Sequence, residues 1–143
     1  MYRVTAEPLS ADTLVDAVTV PEAGGVAVFL GVVRDNNAGR RVVALEYEAL
    51  VPMAEAKMKE IGEAVYRRWP GIKQLAMVHR IGRLGIGEAS VIIAVSAAHR
   101  HEAFEACHFA IDRFKETVPI WKKEIFADGA VWVGLQGESP PAG

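Results

Sequence analysis

The charged residues of this chain gather where the backbone leaves a regular element. His99-Arg100 follows the apolar run Ala89–Ala97 and opens a helical pattern, Lys115 lies near the end of that pattern, and Lys122-Lys123-Glu124 come just after Pro119. A strand-to-helix junction presents free N–H groups and the positive end of the helix dipole, which suits an anion. Arg100 would add a bidentate donor there, and His99 a side-chain type that titrates near neutrality. Each also has a plainer role, His99 as a cap or packing group and Arg100 as a solvated charge. Lys115 stands four residues after Ile111 and seven after His108, beside the apolar stripe of its helix. Partial desolvation there would favour the neutral amine as base or nucleophile, whereas a snorkelling lysine at a helix C-terminus is the ordinary alternative. Strand alternation puts Lys122 on one face with Ile120 and Glu124, and Lys123 on the other with Trp121 and Ile125. Arg34 ends another apolar run and enters a polar loop. If Arg34, Arg100, Lys115 and Lys122 converge, they form a crevice for a phosphate or carboxylate.

Other chemistries find less support. Gly82, Gly85 and Gly87 are not spaced as G-x-G-x-x-G and precede a strand instead of opening a helix, so a tight turn is their expected role. No P-loop and no G-x-S-x-G occurs. His99, His101, Cys107 and His108 are close in sequence, but Cys107 shares a helical stripe with Phe104 and Ile111 and reads as a small core residue, so no metal site is expected. With 16 Lys and Arg against 18 Asp and Glu, a formal net charge of -2, the chain has no basic field for nucleic acid. One cysteine precludes an internal disulfide, the apolar runs are too short for a membrane span, and the N-terminus lacks a signal-peptide pattern; a reducing cytoplasm is the expected setting.

The elements that must position these residues alternate in type. Strands are expected at Tyr2 to Thr5, Val26 to Val33, Val42 to Glu48, Ile72 to His79, Ala89 to Ala97, Ile120 to Phe126 and Ala130 to Leu135. The second of these, Val-Ala-Val-Phe-Leu-Gly-Val-Val, reads as buried on both faces. Arg34 to Arg41 reads as turn chemistry and Asp128-Gly129 as a hairpin. Helices are expected from Ser10 to Val18, from Pro52 to Trp69 and from His101 to Thr117. The order βαββαββαββ argues an α+β fold on a mixed, largely antiparallel sheet with about three helices. We expect one domain over residues 1–135 and a flexible tail over residues 136–143, whose Gly-Glu-Ser-Pro-Pro-Ala-Gly has little to bury.

Several blocks in fixed order carry a resemblance. Gly31-Val32-Val33-Arg34, Leu45-Glu46-Tyr47-Glu48, His79-Arg80-Ile81-Gly82, Gly87-Glu88, His99-Arg100 with Ala103-Phe104, and Lys115 with Pro119-Ile120-Trp121-Lys122-Lys123-Glu124 closely resemble the large, catalytic subunit family of molybdopterin synthase. The similarity runs from about Val26 to Trp132. It implies an α/β-hammerhead fold and a homodimer of large subunits. Each end would bind a small ubiquitin-like subunit carrying sulfur as a C-terminal thiocarboxylate, giving a heterotetramer. It also implies two sulfur transfers that convert cyclic pyranopterin monophosphate into the molybdopterin dithiolene. By position, Lys115 and Lys122 match the family's essential lysines, and Val32, Val33, Arg34, His99, Arg100, Lys123 and Glu124 match its substrate-binding positions. Cys107 matches none of them, so the sulfur comes from the partner. Two other readings stay open on the residues alone: a non-catalytic module that binds a phosphorylated metabolite, and Schiff-base chemistry at Lys115.

Overall fold

The computed structural model describes residues 1–133, so the predicted tail lies outside the described residues. Among the described residues three helices and nine strands run in the order β1 (Tyr2–Thr5), α1 (Ala11–Val18), β2 (Gly25–Val32), β3 (Asn36–Asn37), β4 (Arg40–Ala49), α2 (Val51–Arg68), β5 (Ile72–Arg80), β6 (Gly82–Gly85), β7 (Ala89–Ala97), α3 (Arg100–Thr117), β8 (Ile120–Phe126) and β9 (Gly129–Val133). The fold is α+β. One sheet has the order β1-β5-β7-β2, with β1 parallel to β5 and the other pairs antiparallel. The second has the order β3-β4-β8-β9, with β6 also paired to β4.

Two strands were not expected. The glycine-rich turn contains β6, whose Leu84 is fully buried beside Val33, Val42, Leu45 and Phe126. Arg34 to Arg41 folds into a tight hairpin, β3 against β4, with Asn37 opposite Arg40. Both strands are too short to establish a period of their own and exist because β4 offers them a pairing edge.

The first sheet is covered unequally. On one face Leu14 and Val18, one helical turn apart in α1, pack on Ala76, Val78, Ile92 and Ala94. Ser10 starts that helix by accepting from the Thr13 amide at 3.3 Å. On the other face α2 and α3 cover Met77, Ile93 and Val95. Small residues on α3, Ala103, Ala106, Cys107 and Ala110, let it lie close to the sheet.

Strand β2 corrects the expectation of burial on both faces. Ala27 is buried, but Val26, Val28, Leu30 and Val32 are 38%, 41%, 47% and 52% exposed. These alternate side chains point to the face that α1 covers chiefly over β5 and β7, and β2 is the edge of its sheet. An apolar run signals a surface that avoids water; it does not say whether the same chain provides the cover. No helix among the described residues is long and apolar enough to cross a membrane.

Because Leu84 anchors β6 to the second core, Leu84→Ala should destabilise the protein by about 2–5 kcal/mol, as truncation of a fully buried leucine does. Equilibrium urea unfolding measures this; a change under about 0.5 kcal/mol would mean that the glycine-rich segment is a loose turn.

Candidate active site

The last turn of α3, the start of β8 and the end of β2 meet around a cavity of about 380 Å³, a volume suited to a small molecule. Lys115 reaches it from α3, Lys122 and Glu124 from β8, and Val32 and Arg34 from the end of β2 and the turn that follows. Lys122 and Glu124 share a face of β8, opposite Tyr47 and Leu45 of β4. Thus five of the residues singled out in the sequence line one cavity.

Four others do not. Val33 points the other way and is buried in the second core. Lys123 lies on the opposite face of β8, its ammonium 5.3 Å from the centre of the Trp132 ring. His99 and Arg100 stand at the N-terminal end of α3, fifteen residues before Lys115, which at 1.5 Å per residue is about 22 Å along the helix axis. There the backbone of Arg100 lies beside Gly25, so close that a side chain at Gly25 would crowd it. His99 caps α3 with extended backbone and makes no side-chain capping bond. Both residues are exposed.

The cavity is cationic around one buried carboxylate. Glu124 is 4% exposed and accepts from the Asn37 side-chain amide at 3.0 and 2.9 Å. The Lys122 ammonium is 3.7 Å from Glu124. Among the described residues neither Arg34 nor Lys115 has a carboxylate within ion-pair distance, so both are available to an anion. Lys115 is exposed, so of the two readings open for it the snorkelling lysine holds in the free chain. Its polar end projects beyond the apolar stripe, and only a docked molecule can take it out of water.

Behind Lys115 sits a neutral histidine to which the residue patterns assigned no role. His79 is 4% exposed, stacked on Phe114 with ring centres 5.6 Å apart and edge-on to Tyr47 at 4.8 Å. Its Nδ1 lies 2.7 Å from the Arg80 carbonyl and, as the donor in the neutral ring, directs the tautomer. Burial lowers its pKa to about 4, the Arg80 carbonyl opposes that, and the Lys115 charge adds to it. Burial raises the pKa of the Tyr47 hydroxyl and keeps it protonated. Asn37, Tyr47 and Ser90 all line the cavity. Only the neighbouring strand or hairpin brings them there, so spacing along the chain could not have found them.

Cys107 is buried in the core, and its thiol is pushed up to about 11 by burial. It is therefore a thiol and not a thiolate near neutrality, unsuited to carry sulfur. Among the described residues no three His, Cys, Asp or Glu side chains are grouped to hold a metal ion.

The scaffold is an α+β domain whose one end carries a small-molecule-sized cavity lined by lysine and arginine, an arrangement with the charge to hold an anion. The family is settled by comparison: residues 4–117 match the model of the MoaE protein family, and the chain belongs to that family of molybdopterin synthase catalytic subunits. A molybdopterin synthase catalytic subunit of Bacillus subtilis is 46% identical over 138 residues, covering 96% of this chain and 87% of that protein. The human protein of the same name is 45% identical over 134 residues, covering 94% of this chain and 71% of its own length. Molybdopterin synthase from Staphylococcus aureus superposes with a TM-score of 0.89 at 44% identity, covering 93% of this chain and 96% of that one. The fold also recurs, at 21% identity and a TM-score of 0.75, in a Helicobacter pylori complex of subunits 1 and 2 of molybdopterin-converting factor.

His79 gives the fold an acid-sensitive element. Its folded pKa of about 4 lies below the unfolded value near 6.5, so the unfolded chain takes up a proton first as pH falls. The stability due to the neutral ring is complete above about pH 6.5 and is lost between there and pH 4, up to about 3 kcal/mol in all. In His79→Phe the unfolding free energy measured across that window should lose most of this slope; an unchanged slope would assign it to other groups.

Proposed function

We propose that this chain is the sulfur-transferring subunit of a molybdopterin synthase. It would take sulfur from the C-terminal thiocarboxylate of a small ubiquitin-like subunit and place it on cyclic pyranopterin monophosphate in the cytoplasm. The observation that carries this reading is a cavity in a MoaE-family fold that gathers Arg34, Lys115 and Lys122 around Glu124. Both the pterin phosphate and the thiocarboxylate are anions. A site lined by available cations serves both, and no external cofactor is called for.

In this reading Arg34 binds the phosphate end of the pterin, with Val32 beside it. A second apolar groove lies between β2 and α3, lined by Ala27, Phe29, Phe104, Cys107 and Ile111 and ending at Lys115. It suits the extended tail of the small subunit, whose terminal thiocarboxylate would then meet Lys115 and bury it. Each transfer forms a carbon–sulfur bond at a pterin side-chain carbon in place of a carbon–oxygen bond, and the displaced oxygen leaves as water or stays on the phosphate. Water hydrolyses the partner's acyl carbon–sulfur bond, so its oxygen ends on the partner as a carboxylate. Lys115 stabilises or relays charge at the sulfur, Lys122 stabilises the negative charge that develops on the pterin, and Glu124 orients Lys122.

The exposed row Val26, Val28, Leu30 and Val32 suits a second copy of the chain. If two such rows pack about a two-fold axis with their strands antiparallel, the Gly25 end of one β2 meets the Val32 end of the other. His99 and Arg100, which stand beside Gly25, then face the partner copy's cavity. A homodimer with a small subunit at each end, a heterotetramer overall, would place every predicted binding position except Val33 and Lys123 at the site. Those two have structural roles in this reading.

The direct test mixes the chain with a thiocarboxylated small subunit and pyranopterin and measures dithiolene formation. Lys115→Ala should lower turnover by about 100-fold or more while leaving small-subunit binding in place. Near-normal turnover would remove Lys115 from the chemistry, and a wild-type chain that forms no product would favour a binding module.

The shared site makes a separate prediction. Lys115→Ala and Arg100→Ala should each be impaired, yet co-refolding the two in equal amounts should recover about a quarter of wild-type activity. Half the dimers are then mixed, each with one intact site. A mixture no more active than its parents would put Arg100 and Lys115 in the same copy's site or leave Arg100 outside it.

A further inference from the structure

We infer that Asn37 is a positioning residue of this site: by fixing the buried Glu124 carboxylate, it keeps Lys122 aimed into the cavity. The inference rests on the sulfur-transfer reading and adds to it a residue that no sequence motif marked.

Asn37 belongs to the hairpin that follows Arg34, and its side chain crosses to β8, where Nδ2 donates to both Glu124 oxygens at 3.0 and 2.9 Å. Among the described residues these are the hydrogen bonds that the carboxylate accepts. A carboxylate at 4% exposure needs such donors to satisfy its oxygens and to be held in one orientation. The donor is neutral, which matters for the lysine. An arginine in its place would compete for the carboxylate, whereas the amide leaves Lys122 as its counter-ion. At 3.7 Å, longer than a close charge-assisted bond, Lys122 remains able to engage an anion in the cavity.

The backbone is bent to make this contact. The two residues that turn the chain after Asn37 are both left-handed, Ala38 at φ 52° and Gly39 at φ 82°. Two positive φ values suit a two-residue hairpin, but an alanine in that region is strained, as tolerated where the surroundings fix the turn. The turn pairs Asn37 with Arg40, and the Arg40 side chain is anchored 2.8 Å from Asp128 and over the Phe126 ring. The hairpin is thereby tied to the C-terminal end of β8 as well as to Glu124 itself.

Asn37→Asp tests the clamp, because aspartic acid has nearly the same shape and can donate only when protonated. The charged groups around it are Glu124 and Lys122 of β8, Lys115 of α3, and Arg34 and Asp35 of the preceding turn, with the Tyr47 hydroxyl of β4 on the same cavity. The assay uses the full chain with thiocarboxylated small subunit and pyranopterin, comparing variant with wild type at each pH. Near pH 8.5 the two carboxylates repel, and kcat should fall about tenfold relative to wild type, with KM for the pterin changed less than about twofold. Towards pH 5.5 one proton shared between them restores a donor, and the ratio should recover to within about threefold of wild type. Asn37→Ala, which cannot donate at any pH, should show a similar loss in kcat without recovery. A ratio that does not change with pH, wild-type kcat in Asn37→Ala, or a loss confined to KM would overturn the inference; the last would mean that the hairpin serves only to carry Arg34. An active wild type with any of those results counts against Asn37 alone, whereas an inactive wild type overturns the sulfur-transfer reading and this inference together.

Discussion

Strand β7 has no polar face: from Ser90 to Ala97 every residue is buried, so both of its sides have to be covered by the rest of the chain. A strand of this kind is stable only inside a layered structure, and the layers here are unequal. The 18-residue helices α2 and α3 cover one side, whereas the other has only the eight residues of α1. The shorter helix packs on β5 and β7 and reaches β2 too little to cover its outer row. From that shortfall follow the exposed apolar row of β2 and the open end from which Arg34 enters the cavity. The close approach of α3 to the same sheet likewise sets where Lys115 emerges.

The site uses charge sparingly. A formal net charge of -2 is spread over the surface, and three cationic side chains around one carboxylate give the cavity a local sign opposite to that of the whole. Coulomb interactions between exposed groups are weak, so Lys115 and Arg34 alone form a soft attraction. Glu124 is different because it is buried. Its hydrogen bonds are formed away from water, and changes to them are felt more strongly. The aromatic wall of Tyr47, His79 and Phe114 performs the matching task on the other side. It is neutral near physiological pH, places no second charge against Lys115, and ties the last turn of α3 to β4 and β5.

Much of this was legible from residue order. The bounds of β7 and β8 coincide with those read from periodicity, and α1, α2 and α3 end where a Thr, a Trp-Pro pair and a Val-Pro pair stop them. Such features are local: a capping serine, a proline and a run of apolar residues act within a few positions of themselves. Burial of Cys107 and Ile111 was legible for the same reason, since a helical stripe repeats every turn, but Phe104 of the same expected stripe lies beyond the sheet's cover and is 66% exposed. The strands β3 and β6 were not, because each is defined by an edge of β4 that lies elsewhere in the chain.

By itself, then, the order of residues determined every helix and every strand except β3 and β6, that the strands would form a largely antiparallel mixed arrangement, and which family blocks were present. It also nominated Arg34, Lys115, Lys122 and Glu124. Only the tertiary structure decided that these four share a cavity and that His99 and Arg100 do not line it. It alone decided that β2 is half bare and that Asn37 reaches a residue 87 positions away. The physical reason is range. Backbone preference and hydrophobic period are properties of neighbours in sequence, whereas a hydrogen bond across a cavity depends on how separate elements pack, and that is decided by the whole core at once.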